Sequence, residues 1–277
     1  VSAYIPCYNN KSSIITAVNS ILDQTHPVDE LIVIDDGSTD GSTEKLNNLP
    51  ISIHKTNKNM GRGYVRNLAM KLCKNEFILC CDATNKIGPD FIEIALQCLL
   101  KETNACSVSG PVKSYDKSNL ASRWRSRHLF KDYIQHKPNS TNVSSLITYG
   151  TLMKKSVILE LGNFNPLLKH SEDEDMAFRI NKSKYYSLGN SDLEIICVIK
   201  NSLFEVFERY WRWNIGRHEK FSARTYFSNI KCSIKPMAQI DISNNDYLAA
   251  MVSLIYPHYS ILKSISNSFS KNKNIIH

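Results

Sequence analysis

The sequence predicts an α/β fold: a mostly parallel sheet flanked by helices, continued by a helical extension at the C-terminal end. Three observations carry this reading. Short β-branched runs alternate with helix-length segments through the first third of the chain, each run ends in a polar or acidic turn, and the composition changes near residue 110.

Residues 1–6 form an apolar run closed by Pro6, and residues 12–22 place Ile14, Ile15, Val18, Ile21 and Leu22 at helical spacing. Residues 30–34 are a compact β-branched run that stops at Asp35-Asp36-Gly37. The pattern then repeats: a helix over 38–46 with Ser38 or Thr39 as N-cap, a short strand at 51–54, a helix over 63–73, and a strand at 76–81 ending at Asp82. A helix over 91–100 and a strand over 105–112 follow. Strands joined through helix-length segments imply a parallel, Rossmann-like sheet covered on both faces. In such sheets ligands sit at the carboxyl ends of the strands, which here carry Pro6-Cys7-Tyr8-Asn9, Asp35-Asp36-Gly37 and Asp82-Ala83-Thr84.

The expected organisation is 1–110, 111–220 and 221–277, the first two being halves of one domain and the last a helical extension. Within the second section, apolar order returns at 146–161 around Gly150, Gly162 and Pro166 mark turns, and 172–180 predicts a helix opening on four carboxylates. An aromatic and basic helix is expected over 204–227. Residues 247–265 are apolar but broken by Pro257 and His258, too short and interrupted for a membrane span. They read as a packed helical hairpin or a membrane-surface contact.

Composition narrows the function classes. With 277 residues, 42% of them hydrophobic and 22% charged, the chain can bury a sizeable core, and disorder is not expected. A net charge of +8 favours polyanionic partners such as nucleotide phosphates or acidic lipids. The basic residues are spread without a block of like charge, which argues against nucleic acid as a partner. Eight cysteines are dispersed without a C-x-x-C pair, several of them inside apolar runs; they read as reduced core residues and predict a cytoplasmic protein. No signal peptide is visible.

Three acidic groups call for explanation, and each has two readings. Asp35-Asp36 before Gly37 suits a turn, or Asp36 accepts hydrogen bonds from a base or ribose. Asp82 caps a helix, or meets a hydroxyl or cation at the sheet edge. Glu172-Asp173-Glu174-Asp175 complements a helix dipole, or raises one carboxylate pKa for service as a general base or cation site.

Taken in order, Ile5-Pro6-Cys7-Tyr8-Asn9, Ser20-Ile21-Leu22-Asp23-Gln24-Thr25, Asp35-Asp36-Gly37-Ser38-Thr39-Asp40, Asn59-Met60-Gly61 and Arg66-Asn67-Leu68-Ala69 resemble the opening of the family 2 inverting glycosyltransferases of the GT-A fold. The resemblance runs from residue 1 to about 220. It implies a nucleotide-sugar donor, most simply a UDP-sugar, bound by 1–110, and a glycan or glycolipid acceptor bound by 111–220. Pro6, Tyr8 and Asn9 would line the nucleotide pocket, Asp36 would bind the base, Arg66 would reach base or phosphates, and Asp82 with Ala83 would meet the ribose or metal region. Ser171-Glu172-Asp173 matches the family's Glu-Asp motif, which makes Asp173 the catalytic base with Glu172 beside it. Arg212 would face the diphosphate, and His218 would be a metal ligand or a structural histidine among its aromatic neighbours.

One departure stands out. Where the family shows Asp-x-Asp, this chain has Asp82-Ala83-Thr84-Asn85, so a hydroxyl replaces a carboxylate expected to hold Mn or Mg. Thr84 and Asn85 complete a weaker cation site with Asp82, or arginines such as Arg62, Arg66 and Arg212 neutralise the diphosphate in its place. The resemblance also implies cell-surface polysaccharide or glycolipid assembly, with the basic C-terminal section in peripheral contact with the inner face of a membrane. Two other classes remain: a nucleotidyltransferase, which normally shows a Gly-rich basic loop that 6–11 lacks, and a sugar-nucleotide-binding protein without turnover.

Overall fold

The computed structural model describes residues 1–132, 141–215 and 222–273. In chain order its elements are β1 (Ser2–Cys7), α1 (Ile14–Leu22), β2 (Glu30–Asp35), β3 (Ser52–Lys55), α2 (Arg62–Leu72), β4 (Phe77–Cys81), β5 (Asn85–Ile87), α3 (Phe91–Lys101), β6 (Ala105–Ser109), β7 (Val112–Ser114) and α4 (Leu120–His128). They continue with β8 (Thr141–Val143), β9 (Gly150–Lys154), α5 (Lys155–Glu160), α6 (Glu172–Asn181), β10 (Tyr186–Gly189), β11 (Ile195–Cys197), α7 (Leu203–Ile215), α8 (Ala223–Cys232), α9 (Gln239–Ser243) and α10 (Tyr247–Lys273). The chain forms two compact units: Val1–Tyr115 with Ile134–Ile199, and Asp116–Tyr133 with Lys200–His277.

The first unit is built on an eight-stranded sheet of order β3-β2-β1-β4-β9-β6-β10-β8 and a three-stranded sheet of order β5-β11-β7. Strands β1 to β4 are mutually parallel, with Cys7 opposite Asp35 and Tyr4 opposite Cys80, whereas β9 runs antiparallel to both β4 and β6. From β1 the chain moves outward through β2 and β3, then returns to the other side of β1 with β4. That reversal opens a crevice at the carboxyl ends of β1 and β4, the usual ligand position in an open α/β sheet. Beneath it lies an apolar core that includes Tyr4, Ile34, Val65, Ile78, Met153 and Phe164.

Three elements differ from expectation, and the helix expected over 204–227 is described as two, α7 and α8, with extended backbone at Ser222 and residues 216–221 outside the described residues. Residues 38–46 form no helix beyond a single turn at Glu44–Leu46. Gly37 and Gly41 both have φ of +75°, and side chains take the backbone amides a helix would need: Asp40 accepts from the N–H groups of Lys11 and Ser42, and Asp35 from that of Ser38. The strand expected over 105–112 is cut at Gly110-Pro111 into β6 and β7, which join different sheets. A Cβ at Gly110 would lie 1.8 Å from the Leu193 carbonyl oxygen, so the chain bends where only glycine fits.

In the second unit, α4 buries Trp124 against Phe207, Tyr210 and Tyr256, with ring centroids 5.4, 5.2 and 5.9 Å away. A polar seam lies beside it. His128 Nε2 is 3.0 Å from both Asp241 carboxylate oxygens, Arg127 pairs with Asp241 and Asp246, and Ser253 accepts from Trp124 Nε1 while donating to Asp241. The third difference lies here: α10 runs unbroken through Pro257 and is not a hairpin. Tyr256, packed against Trp124, Phe207 and Tyr210, anchors that turn, and such packing outweighs a proline penalty of about 3 kcal/mol. Among the described residues no helix is long and apolar enough to cross a membrane.

Candidate active site

The site starts from the ends of β1 and β2. Asn9 takes φ of +54°, a left-handed conformation that Asn tolerates, and this turns its side chain onto the β2 loop, where Oδ1 accepts from Thr39 N at 2.9 Å. Its own N–H donates to Ser38 Oγ at 2.9 Å. Tyr8 is left exposed beside it and Pro6 is half-buried.

Asp36 is buried at the end of β2, and its carboxylate holds the loop before α2: Oδ1 accepts from Met60 N and Oδ2 from Gly61 N, each at 2.8 Å, with Thr56 Oγ1 at 3.2 Å. Gly61 (φ +97°) and Gly63 let the chain at 165–169 lie directly on this helix start. A Cβ at Gly63 would be 2.2 Å from the Asn165 carbonyl oxygen, and one at Gly61 2.6 Å from Lys169 Cα. That close approach delivers Ser171, and with it the start of α6, to the crevice.

Arg66 then ties the site together from below. It is wholly buried on α2: Nε donates to Glu172 Oε1 at 2.9 Å, Nη2 to Asp82 Oδ1 at 3.1 Å, and Nη1 to Cys80 Sγ at 2.6 Å and Tyr4 Oη at 3.4 Å. A buried guanidinium is tolerable only with such partners. Burial pushes the Cys80 thiol up to about 11, so it stays protonated beside Arg66. Arg62, one turn earlier and partly exposed, sits 3.7 Å from Glu172 Oε1.

All four acids expected at a helix start do stand in the first turn of α6, where the dipole favours them. They are not equivalent. Glu172 is wholly buried, and although burial opposes ionisation, Arg66 and Arg62 hold its pKa below the ordinary range. Asp173 is half-buried; burial and then the Glu172 charge hold its pKa above the ordinary range, with Arg62 and Arg66 opposing only in part. One carboxylate is therefore fixed as an anion and its neighbour made more basic, the division general-base chemistry needs.

Arg66 thus joins Asp82 and Glu172 at the carboxyl end of β4, and Asp173 follows Glu172 in the first turn of α6. This corrects one expectation: with no exposed surface, Arg66 has no face to offer a base or phosphate, and it acts on the carboxylates instead. Asp82 caps no helix, its N–H donating to the Tyr149 carbonyl on the β9 side. Ala83 is buried. Arg212 is exposed on α7 of the second unit, and His218 lies outside the described residues.

The turn after Asp82 does not fit a cage for a hard cation. Asp82 Oδ1 is spent on Arg66, Thr84 Oγ1 is 3.5 Å from Asn85 Oδ1, and Asn85 is buried with Nδ2 on the Tyr149 carbonyl. Among the described residues no three His, Cys, Asp or Glu side chains form a metal-binding group. Mg and Mn are commonly held by one or two carboxylates together with substrate phosphates and water, and among the described residues the Asp82 turn supplies one carboxylate, half of it engaged by Arg66.

Sequence reasoning missed Tyr4, Cys80 and Gly63, and named Gly61 only as part of a motif without its packing role. Gly61-Arg62-Gly63 was the available signal, since two glycines flanking one residue at a helix start imply close approach of another backbone.

Fold and site together define an α/β protein with a buried Arg66–carboxylate cluster at the carboxyl ends of its parallel strands, and comparison with known proteins makes the class specific. The family described as Glycosyl transferase family 2 matches residues 2–162, and the chain belongs to that family. Among relatives, it is 31% identical over 115 residues to a putative teichuronic acid biosynthesis glycosyltransferase TuaG of Bacillus subtilis, covering 40% of this chain and 46% of that one. It is 28% identical over 232 residues to the chondroitin synthase of Escherichia coli, covering 72% of this chain and 33% of that one. Less than half the length of either relative is therefore spanned. The S. aureus TarS 1-349 structure in complex with UDP-GlcNAc superposes with a TM-score of 0.58 at 19% identity, over 96% of this chain and 88% of that one, so the GT-A fold stands.

Proposed function

We propose that this chain moves a sugar from a UDP-sugar to a hydroxyl of a glycan or glycolipid with inversion, in cell-surface polysaccharide assembly. The observation that carries this reading is the Arg66 bridge between Asp82 and Glu172 at the crevice between β1 and β4, with Asp173 next to Glu172 and its pKa raised. UDP-GlcNAc in TarS and the polymers named in the relatives support the donor and acceptor classes.

The donor's nucleotide lies over Pro6, Tyr8, Asn9 and Asp36, with residues 1–110 forming its site. Asp173 accepts the proton of the acceptor hydroxyl as that oxygen attacks the anomeric carbon opposite the leaving diphosphate. Inversion follows from a single in-line displacement. Burial and the charges of Glu172, Arg62 and Arg66 set the basicity of Asp173, and Arg62, partly exposed beside Glu172, meets developing negative charge. With one carboxylate at the Asp82 turn, the chain's own residues supply most of that neutralisation.

Calorimetric titration of UDP and GDP, each with and without manganese, tests the donor site. UDP is expected to bind more tightly than GDP, and chelation to weaken UDP by less than about fivefold, because the protein's own ligand set is poor. No binding of either nucleotide would remove the reading. Asp36→Ala is expected to weaken UDP at least about tenfold, since the carboxylate also fixes the 60–61 amides, two hydrogen bonds to a charged group at roughly 1.5–3 kcal/mol each. Unchanged affinity would take Asp36 out of the pocket.

The pH dependence follows from the direction of the Asp173 shift. A protonated base is inactive, and its pKa lies above the usual aspartate range, so kcat should fall on acidification along a limb displaced upward from that range. A rate profile flat down to the ordinary aspartate value would count against Asp173 as base.

A further inference from the structure

Helix α10 is apolar on two opposite faces. Between residues 247 and 262 the sequence holds no charged side chain. One face, with Ala249, Val252, Ser253 and Tyr256, is buried within the second unit. The other carries Leu248, Met251, Leu254, Ile255 and Leu262, spaced by three, four and seven residues, and is exposed to between 45 and 68%. A helix apolar all round has its outer face covered by something, because an exposed stripe of this length is unfavourable in water.

Helix α8 lies alongside, its Tyr226 hydroxyl 3.0 Å from His258 Nδ1 on that outer face of α10. None of its residues is buried. Arg224, Phe227 and Lys231, three and four residues apart, share one side of it, and Phe227 is 67% exposed. Charge is divided unevenly along the chain. The first unit holds 18 Lys and Arg against 19 Asp and Glu, and the second 16 against 7, so the positive excess belongs entirely to the second.

We propose that the α8–α10 face docks on an anionic lipid surface, with the α10 stripe and Phe227 in the headgroup–acyl boundary and Arg224 and Lys231 among the phosphates. An interfacial site combines an apolar face with flanking basic residues, and both are present here. A second copy is the weaker occupant, because pairing the face with itself brings two basic units together. The inference rests on the second unit alone and is independent of the donor site.

The test is co-sedimentation of the chain with vesicles of phosphatidylcholine, alone or mixed with phosphatidylglycerol. Binding is expected to the mixed vesicles only. Combined Met251→Ser, Leu254→Ser and Leu262→Ser should reduce it at least about tenfold, and Arg224→Glu and Lys231→Glu by about fivefold or more each, as should raised salt in part. These side chains are exposed, so helix content by circular dichroism stays unchanged and shows that the variants fold. Absence of binding to either vesicle, or binding the triple variant retains, overturns the proposal. So does a dimer in sedimentation equilibrium that the triple variant dissolves, which would assign the face to a second copy.

Discussion

Asp173→Asn is expected to lower kcat by roughly 10³-fold while leaving the Kd for UDP within about twofold. General-base catalysis is worth on the order of 10²–10⁴ in rate, and an amide of the same shape cannot take a proton. The donor contacts assigned to β1 and β2 are untouched by the change. Stability should not suffer. Asp173 has a raised pKa in the folded chain, so its ionisation costs the native state free energy as pH rises through that raised value, and the neutral amide removes the cost. Pre-steady-state transfer assays with a UDP-sugar, beside calorimetry of UDP, check the two halves separately. Turnover within tenfold of the parent would show that another group accepts the proton.

Arg66→Met is expected to be the most damaging single change to the fold among residues near the site. It deletes the cation paired with Glu172, a carboxylate with no exposed surface, and Arg62 at 3.7 Å replaces it poorly. Leaving one member of a buried pair without its partner costs about 3–5 kcal/mol, a large part of a typical domain's stability. Equilibrium urea unfolding measures it, and a loss under about 1 kcal/mol would mean that Glu172 becomes protonated or rehydrated at little cost. Arg66→Lys separates positioning from folding. An ammonium keeps the charge but cannot fork to Glu172 and Asp82 together, so this variant should fold and lose kcat more than UDP affinity.

Much of this protein is legible in its sequence. The alternation of β-branched runs with amphipathic segments specified a parallel sheet, because strands buried on both faces need apolar residues throughout and crossovers need a helix's length. The carboxylates at the ends of those runs marked the ligand edge, and the ordered motifs from Ile5 to Ala69, with Ser171-Glu172-Asp173, marked the family. Periodicity alone could not show that 38–46 would be a loop. There the helix signal competed with Asp35, Asp40 and Ser42, whose short polar side chains capture backbone amides. Nor could it show that α10 would run through Pro257, since the aromatic packing that offsets the proline comes from α4 and α7, far away in the chain.

The sequence by itself determined the fold class, the strand ends that bear the chemistry, and the identity of the acidic residues, because each depends on local pattern. Which of those residues does what was decided only by tertiary structure. Arg66 and Glu172 are separated by 106 positions, yet their contact holds Glu172 as an anion and leaves Asp173 the more basic carboxylate. The reason is physical: a charged group's role follows from its burial and from the charges within a few ångströms of it, and both are set by folding.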